Sequence, residues 1–309
     1  MAKPAAATCT TPRGVRRGGR HTAARWPRGL AGALLLPREH GAWAMLLMPY
    51  LVGTATAGWG GWPSLLLLVS VLLIFSSSRS LELLLQHRPL GPTSADTASR
   101  AGAAGRWRQA LLRLAIYLGV GGATGVVLLL RYDRWALLAI GGLALAVLVG
   151  QVLLRGRRLD RSWAARLLSI AALSATGPAA HYTATGILDR HALAIWVLVF
   201  LYLGSSVFYV RLFYPASTRQ GNRADPHVRR RAEMHMLGYL AATFLSVIAL
   251  VAAGLLPHLA AAAFVPLVGK VAWACFRRED RPSLKRIGLA EIGHTTLFAF
   301  LAIAAVALW

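Results

Sequence analysis

The sequence predicts an all-α fold, a polytopic membrane helical bundle of about nine transmembrane helices with the N-terminus cytosolic. Three observations predict it. Hydrophobic residues make up 56% of the 309 and charged residues only 15%. The apolar residues come in blocks about 20 long, without amphipathic spacing. The basic residues collect between those blocks, on alternate connections. A block of about 20 residues at about 1.5 Å each crosses a hydrocarbon core of about 30 Å, and its backbone must be helical because lipid offers it no hydrogen bonds. A formal charge of +23 would suggest nucleic acid in a soluble protein. Here the charge sits in connections, so the expected partner is the lipid bilayer and nucleic acid is not expected.

Residues 1–29 contain seven Lys or Arg and no acid. Such a segment cannot bury a core and is expected to be a disordered cytosolic tail before a single transmembrane domain, 30–309. Arg16-Arg17 is not followed closely by an apolar run, so it does not read as an export signal. The expected spans are 41–58, 62–82, 109–130, 134–154, 163–185, 191–212, 235–256, 258–276 and 288–309. Thirty of the 34 Lys and Arg fall on one side of this arrangement, Lys270 lies inside a span, and Arg131, Arg134 and Arg190 fall on the other side. The positive-inside rule then places the N-terminus in the cytosol of a cell membrane and Trp309 outside. Trp59, Trp62, Trp135 and Trp309 suit an outer interface belt. Gly119 to Gly125 and Gly141-Gly142 read as helix-packing positions. Cys9 and Cys275 are the only cysteines, so no disulfide framework is implied.

Charges at span ends are costly, which makes each a functional candidate. Arg38, Glu39 and His40 open the first span, with Trp43 one turn further on; Arg79 and Glu82 close the second; Tyr209 and Arg211 close the sixth. Glu233 and His235 open the seventh, Lys270 lies inside the eighth, and Glu291 and His294 open the ninth. All are at cytosolic ends. The pairs Arg79/Glu82, Glu291/His294 and His40/Trp43 are three apart and share helix faces. Faces of this kind turned inward would make a polar, cytosol-facing cavity in which cations hold a phosphate or carboxylate. The expected ligand is amphipathic, of the isoprenoid, quinone or phospholipid kind, with Glu291 and His294 as the acid/base pair. Glu39-His40, Glu233-x-His235 and Glu291-x-x-His294 also suggest a metal- or haem-binding alternative, though only the last spacing puts both groups on one face. Gly177-Pro178 reads as a kink with a satisfied His181 beside it, a feature that a small-molecule transporter could use. Phosphate-binding glycine loops, dinucleotide fingerprints, Cys-x-x-Cys pairs and nucleophile elbows are missing, and the residues name no cofactor.

Pro37-Arg-Glu-His-Gly-Ala-Trp43, the adjoining Leu-Leu-Met-Pro-Tyr-Leu-Val-Gly53, and Ala290-Glu-Ile-Gly-His294 resemble the YwiC-like family of bacterial integral membrane proteins, from about residue 35 to the end. The resemblance implies membrane insertion and no particular activity. Nine helices, long cytosolic connections after spans two and six, and Arg88-Pro89-Leu90 are in turn similar to the UbiA superfamily of intramembrane prenyltransferases. That similarity implies a bundle in which spans two and six end in aspartate-rich motifs holding magnesium and an isoprenyl diphosphate. Here those ends read Ser76-Ser-Ser-Arg79-Ser-Leu-Glu82 and Gly204-Ser-Ser-Val-Phe-Tyr209-Val-Arg211, and no two aspartates are four apart. Magnesium-diphosphate chemistry is therefore not expected; arginine at these positions suits an anionic headgroup held without metal.

Overall fold

The computed structural model describes residues 40–86, 97–156, 163–213, 226–276 and 284–309. The expected tail, together with Arg38 and Glu39, lies outside them. Among the described residues the chain is helical with no strand. In order come α1 (His40–Thr56), α2 (Trp62–Gln86), α3 (Thr97–Tyr132), α4 (Ala136–Gly156), α5 (Trp163–Ser174), α6 (Thr176–Thr185), α7 (Arg190–Phe213) and α8 (Pro226–Ala252). A 3-10 turn (His258–Phe264) then runs into α9 (Val265–Phe276), and α10 (Leu284–Ala307) ends the chain.

Among the described residues five stretches are long and apolar enough to cross a membrane: Trp107–Tyr132, Arg190–Val210, His227–Ala252, His258–Cys275 and Gly288–Ala307. Met45–Thr56, Trp62–Ser77 and Ala136–Val147 are shorter apolar helices. The stretch expected as one helix over 163–185 is two. Pro178 has no N–H to offer the carbonyl four residues back, and the helix breaks between Ser174 and Thr176. The expected eighth span likewise opens as a 3-10 turn.

Burial places α7 at the centre. Ala194, Ile195, Leu198, Val199 and Tyr202 have at most a trace of exposed surface, and they pack with Met48 and Val52 of α1, Met236 and Val247 of α8, Phe264, Leu267 of α9, and Phe298 and Ala302 of α10. A smaller cluster, Tyr50, Leu67, Leu128, Ala179 and Ala180, joins α1, α2, α3 and α6. Leu112, Ile116, Val126 and Leu130 of α3, and Leu237, Leu245 and Ile248 of α8, face outward. In water so much exposed aliphatic surface would drive aggregation; against lipid tails it carries no such penalty.

Polar side chains fasten the helices through backbone carbonyls. The Tyr50 hydroxyl donates to the Ser64 carbonyl (2.8 Å), Ser70 to Gly121 (2.9 Å), Trp196 Nε1 to Ala171 (3.0 Å) and Tyr239 to Leu201 (2.8 Å). Each such bond between membrane helices is worth about 0.6 kcal/mol. The backbones of α1 and α6 lie close together: a Cβ on Gly53 would stand 2.1 Å from the Gly177 carbonyl oxygen.

Candidate functional site

Tyr202, Ser206 and Tyr209 succeed one another at intervals of four and three along α7, and Glu291, Thr295 and Phe298 do so along α10. That spacing puts each trio on one helix face. The two faces meet. Tyr202 stacks on Phe298 with ring centroids 3.9 Å apart, and Phe264 meets the same ring edge-on at 5.7 Å. This aromatic layer lies about two turns along α10 from Glu291. Above it Lys270 comes in from α9 and Glu291 from α10, and the Lys270 ammonium touches both carboxylate oxygens, Oε1 at 2.7 Å and Oε2 at 2.5 Å. The Ser206 hydroxyl donates to Oε1 as well, and the Tyr209 ring stands 4.2 Å from the ammonium.

The Lys270 side chain has 0% of its surface exposed and that of Glu291 15%. Taking an ammonium out of water costs several kcal/mol, and only a close counter-ion with further hydrogen bonds offsets it. Glu291 supplies the charge, Ser206 a second donor for the carboxylate, and Tyr209 a π face for the cation. The neutral pair so formed is a cation and a carboxylate whose mutual contact can be exchanged for a ligand's.

Two of the other expected residues with described side chains have partners elsewhere. Glu233 bonds Arg229 one turn back on α8 at 3.0 Å, and His235 is exposed on the same helix. His294 turns Nδ1 to the Ala290 carbonyl of its own helix at 2.6 Å, so Glu291 is partnered by Lys270 and not by His294. His40 and Trp43 lie in α1, Arg79 and Glu82 in α2, and Arg211 in α7. Ser206, Tyr202 and Phe298 were not singled out by sequence. The signal for them was the 202/206/209 and 291/295/298 spacing, which becomes informative only once the two helices are known to face each other.

Residues 36–181 match the family model described as YwiC-like protein. This segment resembles that family. No curated protein and no solved structure matches the chain. The YwiC-like segment runs from the start of α1 into α6 and carries the Pro37-to-Gly53 motif, whereas Ser206, Lys270 and Glu291 lie beyond it. Together with its apolar helices the YwiC-like segment makes this a multi-pass membrane protein.

Proposed function

We propose that the protein binds the polar head of an amphipathic, lipid-like molecule at the junction of α7, α9 and α10, with Lys270 as the cation and Glu291 as the exchangeable counter-ion. The observation that carries this reading is the wholly buried Lys270 held by Glu291, whose side chain keeps 15% of its surface exposed. An anionic or carbonyl oxygen entering beside the Glu291 side chain takes over the ammonium without leaving it bare, while Ser206 retains the displaced carboxylate. The aromatic layer of Tyr202, Phe264 and Phe298 gives an apolar floor for the first carbons of the tail. An isoprenoid, a quinone or a phospholipid has this division into head and tail. In the same reading the junction opens to the cytosol, the bundle has nine UbiA-like spans, and Arg38, Arg79 and Arg211 draw the head towards it.

The metal or haem alternative rests on Glu/His pairs, and both described glutamates of those pairs bond a cation of the chain instead. The break between α5 and α6 favours transport as a second reading, which substrate-dependent flux in vesicles would distinguish from binding.

Mass spectrometry of the protein purified in mild detergent tests the proposal. Wild type is expected to carry a lipid-like molecule that Lys270→Met loses by about tenfold or more, with folding checked by circular dichroism. Equal retention by the two, or nothing bound to wild type, removes the reading. Stoichiometric metal without lipid moves the Glu/His alternative ahead of it.

A further inference from the structure

At the other end of α7, about 24 Å from Ser206 by helical rise, three elements converge on one carboxylate. Asp189, in the connection before α7, accepts the Ala192 amide on Oδ1 at 3.1 Å and faces Nδ1 of His191 through Oδ2 at 3.0 Å. His181 of α6 is only 4% exposed; it brings Nε2 to 3.4 Å from the same Oδ1 and Nδ1 to 3.4 Å from the Thr56 hydroxyl of α1. Helix capping accounts for the Asp189–Ala192 bond. It does not account for His181.

Thr56 decides the protonation of this imidazole. The hydroxyl has a single proton, and its geometry directs it to the carbonyls of Val52 (2.9 Å) and Gly53 (3.0 Å) of its own helix. Towards His181 the hydroxyl oxygen therefore accepts, and Nδ1 is the donor. A neutral ring with its proton on Nδ1 points a bare lone pair from Nε2 at a carboxylate oxygen, which is repulsive. A proton on Nε2 turns the same contact into a charge-assisted pair.

We infer that His181 Nε2 and Asp189 Oδ1 together form a proton-binding site, loaded through the more exposed imidazole of His191. His191 is 29% exposed and its ring centroid lies 6.2 Å from that of His181. Among the described residues, further charged or titratable groups on the adjoining elements are Arg190, over the Trp309 ring at 4.6 Å, Arg134, whose Nε donates to the Thr183 carbonyl at 3.0 Å, and Tyr182, whose hydroxyl accepts the Ala136 amide at 3.3 Å. Trp309 closes the group against His191 at 5.2 Å. With the proton bound, α6 is tied to the start of α7; without it, that tie is lost. Because α6 is the outer piece of a broken helix, it is the element that the proton would hold. This site is independent of the Lys270–Glu291 reading.

The test is nitrogen NMR of the full-length protein, labelled with 15N-histidine, in micelles across a pH series. One imidazole, assigned by its absence in His181→Gln, is expected to keep its proton on Nδ1 throughout and to gain and lose one on Nε2. Asp189→Asn is expected to lower its midpoint by about one pH unit, a tenfold loss of proton affinity, or more. A neutral His181 carrying its proton on Nε2, or an unchanged midpoint in Asp189→Asn, overturns the inference. So does a His181 signal that shifts on adding a chelator, since the site would then hold a metal ion. Should Asp189→Asn fail to fold, the wild-type tautomer decides by itself.

Discussion

At residue scale the contact between Lys270 and Glu291 dominates, because each charge is tolerable in the bundle only while the other is there. Removing one partner leaves the other buried and unpaired, at a cost of about 3–5 kcal/mol. Glu291→Leu is therefore expected to lower the melting temperature in detergent sharply, and Lys270→Met combined with Glu291→Leu to recover most of the loss. A double variant no more stable than the single would mean that the pair does not carry this energy. Asp189 gives a second prediction at the same scale. Burial pushes its carboxyl up, but the Ala192 amide, the His191 hydrogen bond and the two imidazoles outweigh this and hold it below the usual carboxylate range. A carboxyl depressed in the folded state contributes stability above its unfolded value of about 3.9 and loses it as the pH falls through the lower folded value. The melting-temperature advantage of wild type over Asp189→Ala should thus be present at about pH 5 and fall away as the pH drops below about 3.9 and through the carboxyl's lower folded value.

At the scale of helices, glycine marks contact only where a second backbone is already there. Gly119, Gly122, Gly125, Gly141 and Gly142 read as packing positions, yet a Cβ on any of them would meet nothing within 4 Å. Of that run only Gly121 lies against a neighbour, 3.4 Å from Leu73 of α2. The tight positions are elsewhere: Gly53 against the Gly177 carbonyl, and Gly204, where an added Cβ would stand 2.1 Å from the Tyr239 hydroxyl oxygen. Gly53→Ala meets backbone that cannot step aside and is expected to cost about 2 kcal/mol, whereas Gly119→Ala should change stability by less than about 0.5 kcal/mol unless it gains from helix propensity. Thermal unfolding of the two variants side by side checks the contrast. Sequence showed these glycines equally; which helix lies opposite each one is not a local property.

At the scale of the whole molecule, the alternation of basic connections is the main constraint on orientation. The topology proposed from it puts residues near 222 in the cytosol and Trp309 outside. Reporter fusions at those two points should be active on opposite sides of the membrane, and the same side for both would remove the nine-span count. The helix break before Thr176 also acts at this scale, because it turns one expected span into two pieces and brings His181 to the start of α7.

The sequence by itself determined the class of protein, an all-α chain with several apolar helices of membrane length. In lipid a segment's fate is set by its own length, apolarity and flanking charge, all of which are local. It also marked Lys270 and Glu291 as costly inside a span. Only the tertiary structure decided their partners. Along α10 the spacing left Glu291 equally near His294 and the face of another helix, and the crossing of α7, α9 and α10 turned it to Lys270 and Ser206. The Asp189 constellation has the same origin. Thr56, His181 and Asp189 are up to 133 residues apart in sequence, and no local pattern records that α1, α6 and the start of α7 meet at one point.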